Sequence, residues 1–176
     1  MVAQPRIVDA GICNGRYFLN GVGIGFDGEV VKAMGTKKYF SAGYLAYLLT
    51  VARKIFFFEA KHLQVTTSQV IWNGQAFMVT IANGSRYGGG FLVAPQAVVN
   101  DGLLDLVIVP EITFLKRIQY LPKVGKGKHL DLTEMSRSAR VTIESGQIMA
   151  AHLDGELMES ARFEIECLAG KYLFKY

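Results

Sequence analysis

The sequence lacks the features that mark disulfide-rich, membrane-spanning or nucleic-acid-binding chains. Its two cysteines, Cys13 and Cys167, have no paired spacing, which argues against a metal knuckle or a disulfide framework. The longest uncharged apolar run, at 40–52, is too short to span a bilayer, and no secretion signal opens the chain. No arginine-rich tract occurs, so we expect no nucleic-acid partner. These absences predict a cytoplasmic protein that is at most peripheral to a membrane.

What the sequence does contain is ample apolar material. Of its 176 residues, 51% are hydrophobic and 19% are charged, which is enough to build a core and argues against disorder. The length, without any repeat or linker, predicts a single domain over residues 1–176. The net charge of +4 favours acidic partners such as nucleotides, phosphates or anionic lipid surfaces, and it does not select among them.

Apolar spacing predicts many short strands and few helices. Strands are predicted at 7–12, 17–19, 62–67, 70–72, 75–82, 91–94, 104–109, 129–135, 139–143, 148–152, 162–166 and 171–175. Helices are predicted at 29–34, at 42–56 behind Ser41 as N-cap, and at 112–120, with a flexible basic loop after them at 123–129. Asn-Gly pairs at 14–15 and 73–74 predict tight hairpin turns. This pattern favours a mainly β, α+β fold: an antiparallel β-sandwich with a few flanking helices.

The segment 23–28 has the G-x-G-x-x-G spacing of a dinucleotide-binding fingerprint. That fingerprint needs a parallel strand before it and an acidic residue about 20 positions later. Position 48 lies instead in an apolar helical stretch, and the hairpin ahead of the segment indicates antiparallel pairing. A glycine-rich turn between a strand and a helix is therefore the better interpretation.

A glycine-dense loop at 83–90 is followed by a second tight loop that holds Asp101. Gly88 and Gly89 permit positive φ and a close approach of the backbone to a neighbour. In the second loop, at 98–103, Asp101 either caps its own backbone in a β-turn or belongs to a set of oxygen ligands suited to Mg²⁺ or Ca²⁺. The turn is the simpler interpretation.

Asp154 and Glu156 flank Gly155 directly after the strand predicted at 148–152. Asp-Gly is a turn dipeptide, so both acids could belong to nothing more than a hairpin turn. A carboxylate at this place could also accept the proton of a hydroxyl group while a phosphoryl group is transferred to its oxygen. Both interpretations stay open on spacing alone.

Taken together, the segments 14–30, 83–106 and 153–156 resemble the carboxy-terminal domain of bacterial diacylglycerol-kinase-like lipid kinases. That family also includes the sphingosine kinases and, more distantly, the NAD kinases. The resemblance implies three groups of site residues. They are the substrate-binding residues Asp27, Glu29, Gly88 and Gly89, a Mg²⁺ site made of Asp101 and the backbone carbonyls of Val98 and Leu103, and the general base, Glu156 by preference or Asp154.

The Gly-Gly-Asp-Gly-Thr phosphate-binding motif of these kinases does not occur in the sequence. The resemblance therefore implies the lipid-binding half of a two-domain enzyme of phospholipid biosynthesis, which uses ATP as co-substrate and has its nucleotide-binding domain at the amino-terminal side. We expect this chain to be inert alone and to have a lipid and that domain as partners. Peripheral contact with the inner membrane and a homodimer are left open.

Two alternatives to a lipid kinase remain. One is a free-standing, non-catalytic module that binds a lipid or a phosphate, with the acids serving only as turn residues. The other is a kinase domain whose acceptor is not a lipid. The aromatic helix at 44–58 favours a lipid, although packing against the sheet explains much of its composition.

Overall fold

The computed structural model describes residues 5–35, 43–88 and 90–174. Twelve elements follow one another, besides a turn of 3₁₀ helix at Leu130–Leu132. They are β1 (Arg6–Cys13), β2 (Arg16–Phe18), β3 (Gly21–Gly25), α1 (Phe26–Met34), α2 (Gly43–Phe57), β4 (Lys61–Thr67), β5 (Ile71–Ala82), β6 (Leu104–Pro110), α3 (Phe114–Gly125), β7 (Glu134–Ser138), β8 (Arg140–Leu153) and β9 (Glu156–Phe174).

All strand pairs are antiparallel, and the strands follow the order β2-β1-β9-β8-β3-β5-β6-β7. The fourth strand, β4, pairs with both β5 and β8. The long strands β5 and β8 change partner along their length. The first half of each strand pairs with β4, and the second half pairs with β3. These shared strands bend the sheet over itself, and the predicted mainly β sandwich with flanking helices is confirmed.

Two large clusters of buried apolar side chains fill the fold, besides a small third one made of Ala82, Ala94 and Val107. The first, here called the sheet core, lies between the strands and includes Ile24, Val79, Ile143 and Phe163, each fully buried. The second, here called the helix-side cluster, joins α1 and α2 to the face of β5. Its members are Phe26, Val30, Val51, Ile55, Phe58, Phe77, Met78, Val93 and Val109.

Glycine brings α1 directly onto the backbone of β8. A Cβ atom on Gly28 would lie 2.2 Å from the carbonyl oxygen of Ala150, so only glycine permits this contact. The helix begins behind Gly25, whose φ of 88° lies in the region that favours glycine. The glycine-rich segment is thus a turn from strand to helix, with β3 antiparallel to both neighbours.

The second predicted Asn-Gly turn is wrong. Asn73 and Gly74 lie inside β5, where they pair with Gln64 and Leu63 of β4. The chain reverses earlier, because the Thr67 hydroxyl accepts the N–H groups of Gln69 and Val70 and closes a turn there. By contrast, the Asn-Gly at 14–15 makes the predicted turn, with φ of 46° and 82°.

Several predicted boundaries also differ from the structure. The strand predicted at 91–94 is reduced to one isolated bridge between Tyr87 and Phe91. The basic loop at 123–129 begins inside α3, and 130–132 form a 3₁₀ turn ahead of β7 instead of a strand. The last four predicted strands merge into two strands, β8 and β9. Strand β9 is long because it pairs first with β8 and then with β1. The predicted cap Ser41 lies outside the described residues.

Candidate functional site

A cavity of about 310 Å³ lies within the helix-side cluster. Its walls are mostly apolar and come from α1, α2, α3 and the face of β5. Among them are Val30, Val51, Ile55, Phe77, Ile112 and Val124. Such a pocket, mostly apolar with few polar groups, is the usual form of a small-molecule site.

The polar end of the cavity is a hydrogen-bonded chain of side chains. The Tyr87 hydroxyl donates to Asp27 Oδ2 at 2.7 Å. It also lies 2.5 Å from Thr80 Oγ1, and since the phenol has one proton, the threonine donates to it. His152 Nε2 lies 3.9 Å from the same oxygen of Asp27. A side chain at Gly23 would come within 2.7 Å of that oxygen and of His152 Nε2, so the site requires glycine there.

His152 links this chain to the acid-bearing turn between β8 and β9. The N–H of Gly155 donates to His152 Nδ1 at 3.3 Å. Because Nδ1 is then the acceptor, the neutral ring carries its proton on Nε2, facing Asp27. The two parts of the site are therefore connected through one buried imidazole.

Asp154 occupies the turn with a φ of 50° and holds the segment before β3. Its Oδ2 accepts the N–H of Leu19 at 2.7 Å. Its Oδ1 accepts the N–H groups of Asn20 and Gly21 at 3.0 and 2.8 Å. A carboxylate has about four acceptor sites, so one remains for a ligand. Asp154 borders the cavity.

Glu156 points out of the same turn. Its side chain is 78% exposed and pairs with Arg16 at 2.7 Å. It does not line the cavity, whereas Asp154 and Gly155 do. The two acids of the turn therefore have different surroundings: one is held by the backbone and the other faces solvent.

The four residues predicted to contact the substrate are only partly brought together. Asp27 and Gly88 line the cavity, and Gly88 has a φ of 60°. Glu29 instead pairs with Lys54 of α2 at 2.7 Å and borders a separate pocket beside α1. Gly89 lies outside the described residues.

Asp101 lies in a turn that is fixed from two sides. Its Oδ1 accepts the N–H of Leu103 at 3.1 Å, which is the backbone-capping geometry of a turn. Its Oδ2 forms an ion pair with Arg137. The buried carboxylate of Asp9 accepts the N–H of Gly102 at 2.7 Å and, through its other oxygen, that of Gly170.

Asp105 is a second, buried carboxylate beside Asp101. Arg137 Nε lies 3.4 Å from its Oδ1, an ion-pair distance without the geometry of a hydrogen bond. Neither oxygen finds a hydrogen-bond partner among the described residues. Burial raises the pKa of Asp105, Arg137 lowers it and Asp101 raises it further.

Hard oxygen atoms at this loop suit a divalent cation such as Mg²⁺. The fit depends on Arg137, whose guanidinium neutralises Asp101 and whose side chain is 40% exposed. Within the described ranges no group of three acidic, histidine or cysteine side chains converges. A cation here would therefore rely on backbone carbonyls as well as on Asp101.

Sequence reasoning missed Asp9, Asp105 and Arg137 and gave His152 no role. The available signal was an acid inside an otherwise apolar strand, as Asp105 is in β6 and Asp9 is in β1.

An α+β sandwich whose helices cover an apolar cavity with a polar end has the architecture that is common among small-molecule-binding domains. Residues 20–171 match the family model described as the YegS C-terminal NAD kinase beta sandwich-like domain. Since the match covers most of the chain, the chain belongs to this family, and the resemblance expected from the sequence is confirmed.

Relatives named probable lipid kinase YegS-like occur in several bacteria. That of Stenotrophomonas maltophilia (strain K279a) is 30% identical over 85% of this chain and 48% of its own length. That of Pseudomonas savastanoi pv. phaseolicola (strain 1448A / Race 6) is 32% identical over 93% of this chain and 54% of its own length. The chain thus spans about half the length of the curated relatives it matches.

Two crystal structures from Bacillus anthracis str. Sterne share the fold. One, described as a candidate diacylglycerol kinase, has a TM-score of 0.80 at 24% identity. The match covers 98% of this chain and 57% of the length of that protein. The other, described as a diacylglycerol kinase, has a TM-score of 0.68 at 20% identity, with 98% and 54% covered. Among the described helices, none has the length and apolar character needed to cross a bilayer.

Proposed function

We propose that this chain, as one domain over residues 1–176, is the lipid-binding half of an ATP-dependent lipid kinase of the diacylglycerol type. The observation that carries the proposal is the apolar cavity that ends at Asp27, His152 and Asp154. An apolar wall suits hydrocarbon, at about 0.8 kcal/mol for each buried methylene group. A polar end with two carboxylates suits the hydroxyl group that accepts the phosphoryl group.

The longer relatives support a second, nucleotide-binding domain as partner. In the proposal, ATP binds to that domain and the γ-phosphoryl group passes to the lipid hydroxyl at the polar end of the cavity. Asp27 accepts a hydrogen bond from the lipid head, and the backbone at Gly88 borders the same place. This chain then binds and orients the acceptor and takes its proton.

Glu156 is the preferred proton acceptor, and Asp154 is retained as the alternative. The Asp154 carboxylate accepts hydrogen bonds from three backbone N–H groups, which supports a role in shaping the turn. Glu156 lies outside the lining of the cavity and is paired with Arg16, and its mostly exposed carboxylate can approach a hydroxyl group at the polar end once Arg16 releases it. Proton transfer by a positioned side chain contributes roughly 10²–10⁴ to the rate.

The test uses the complete enzyme with a diacylglycerol as acceptor. Glu156→Gln should lower turnover roughly 10²–10⁴-fold if Glu156 is the base. Glu166→Gln is the matched control, because Glu166 is also a partly exposed residue of β9 paired with an arginine, Arg140. Loss in Asp154→Asn alone would transfer the role to Asp154, and near-normal turnover in both variants and their double variant would refute an acid–base role.

The isolated chain should bind a lipid without transferring phosphate from ATP. ATP turnover by the purified chain would contradict the two-domain proposal. The non-catalytic binding module predicts lipid binding but no turnover even in the complete protein. A non-lipid acceptor predicts phosphorylation of a soluble alcohol with no binding of the diacylglycerol.

We further propose that Asp101 holds Mg²⁺ together with the carbonyl oxygens of Val98 and Leu103. The buried carboxylate of Asp105 supports the proposal, because neither of its oxygens has a hydrogen-bond partner among the described residues. A bound ion would neutralise these carboxylates and fix the loop in place of Arg137.

The Mg²⁺ site can be tested by thermal unfolding of the chain. A ligand that binds only the folded state raises the melting temperature, so Mg²⁺ should stabilise the wild type and Arg137→Gln but not Asp101→Asn. Arg137→Gln should respond at lower Mg²⁺, because it removes the competing cation. A melting temperature independent of Mg²⁺ in both the wild type and Arg137→Gln would contradict the site.

A further inference from the structure

The polar end of the cavity is assembled around Gly23 from elements that are distant in the sequence. Asp27 comes from α1 and His152 from β8, where His152 is the register partner of Gly23 in β3. The rings of Tyr87 and His152 meet edge to face, with their centroids 5.3 Å apart. A Cβ atom on Gly23 would come within 2.6 Å of His152 Nε2, so the imidazole occupies space that only glycine leaves open.

The carboxylate of Asp27 is oriented through one of its two oxygens. The Tyr87 hydroxyl donates to Oδ2, and His152 Nε2 lies 3.9 Å from the same atom. The second distance is too long for a hydrogen bond, yet it places the N–H dipole of a buried imidazole beside a negative charge. Such an attraction is strong where the protein excludes water. Both contacts leave Oδ1 as the oxygen able to accept a hydrogen bond from a ligand.

The other ring nitrogen of His152 contacts the acid-bearing turn. Its Nδ1 accepts the N–H of Gly155, which lies between Asp154 and Glu156 and has a φ of 90°. A neutral imidazole has one donor and one acceptor. In this site the donor faces Asp27 and the acceptor holds the turn, so a rotation of the ring would disturb both.

We infer that His152 is a positioning residue that couples two steps of the reaction. Through Nε2 it holds Asp27 in the orientation that receives the lipid head, and through Nδ1 it holds the turn that presents the proton acceptor. The inference rests on the proposed function, because it takes from it the roles of Asp27 and of the turn. Correct placement of a hydroxyl group against its base matters, since an error of about 1 Å can slow a reaction roughly 100-fold.

The test uses two substitutions that each keep one half of the imidazole. His152→Asn keeps an acceptor near the position of Nδ1, and His152→Gln carries an amide to the position of Nε2. In the complete enzyme with diacylglycerol, His152→Asn should raise KM roughly tenfold and change kcat little, because Asp27 loses a partner. His152→Gln should lower kcat roughly tenfold and change KM little, because the turn loses its support.

Tyr87→Phe extends the test without touching the imidazole. It removes the hydroxyl donated to Asp27 and keeps the ring that packs on His152, so it should raise KM as His152→Asn does. The control is His62→Asn, at an exposed position of β4, which should leave both constants unchanged. Binding of a fluorescent diacylglycerol to the 176-residue chain repeats the comparison without turnover: His152→Asn and Tyr87→Phe should weaken it, and His152→Gln should not.

Two results would overturn the inference. One is an equal loss of KM and kcat in both His152 variants, or no loss in either, with an active wild type. The other is a ¹⁵N NMR spectrum of the 176-residue chain at about pH 8.5, above the ordinary pKa of histidine, that shows the proton of His152 on Nδ1. A complete wild-type enzyme that phosphorylates no lipid would instead refute the proposed function. Circular dichroism of each variant verifies that the fold is kept.

Discussion

The sheet core and the helix-side cluster are built from similar apolar residues but are filled differently. In the sheet core, side chains such as Ile143 and Phe163 are held between hydrogen-bonded strands and are fully buried. The helix-side cluster is closed by helices that are joined to the sheet through side chains, and it encloses the cavity of about 310 Å³. Protein interiors seldom leave voids larger than a water molecule. The sheet therefore supplies stability, and the helices leave room for a ligand.

The largest expected effect is a truncation in the sheet core. Phe163→Ala should lower the free energy of unfolding by about 3–5 kcal/mol, because the strands around it cannot close the void. The measurement is urea denaturation. Phe77→Ala should lose less, because the ring of Phe77 borders the cavity and its removal only enlarges a space that is already present. An equal or greater loss in Phe77→Ala would show that both clusters are packed alike.

Enlarging a side chain should also distinguish the two clusters, because only the cavity of the helix-side cluster has room for added atoms. Val79→Phe in the fully buried sheet core should destabilise by about 1–3 kcal/mol through overpacking. Val51→Phe projects into the cavity and should leave stability within about 1 kcal/mol, since space is present.

Ligand binding is the second measurement on this pair. Val51→Phe should weaken binding of a fluorescent diacylglycerol at least about tenfold, because the ring would occupy the space of several methylene groups. Undiminished lipid binding in Val51→Phe would exclude this cavity as the lipid site.

The smallest expected effect concerns pH. His129 borders the cavity, is 2% exposed and contacts the Val93 carbonyl through Nε2 at 3.0 Å. Burial lowers the pKa of His129, partly opposed by that carbonyl and by Asp131. As the pH falls through about 6.5, the unfolded chain takes up the proton first, so stability should fall, by at most about 1.4 kcal/mol per pH unit.

Two substitutions isolate this contribution. His129→Gln should remove part of the loss of stability between pH 7.5 and 5.5 in denaturant unfolding. His62→Gln, at an exposed position of β4, should leave the pH dependence unchanged. An unaltered slope in His129→Gln would mean that other groups cause the acid sensitivity.

The fold class was predictable, because the apolar spacing of the strands agreed with it. The Asn-Gly turn signal, however, failed where pairing with a distant strand determined the local structure. Asn14-Gly15 makes its turn, whereas Asn73-Gly74 is drawn into β5 by pairing with β4. No local rule distinguishes the two dipeptides. The difference lies in the pairing of residues 71–76 with β4 and in Trp72, which packs against the sheet core.

The candidate site shows the same division. Asp154 was placed correctly in a turn, yet its three backbone partners come from 19–21 and are far away in the sequence. Asp105 and Arg137 meet because they are register partners across β6 and β7. The spacing of residues along the chain can predict which acids lie in turns. It cannot predict contacts that depend on how two strands are aligned.

The pairing of β1 with β9 also constrains how this chain is made. Ile12 lies opposite Glu166, and Asp9 binds the N–H of Gly170, so β1 gains its second partner, besides β2, only after β9 has been synthesised. Contacts so distant in sequence slow folding, and an unpaired strand edge invites association with other chains. During synthesis the edge of β1 that faces away from β2 should therefore stay open to other chains until β9 emerges and closes the sheet.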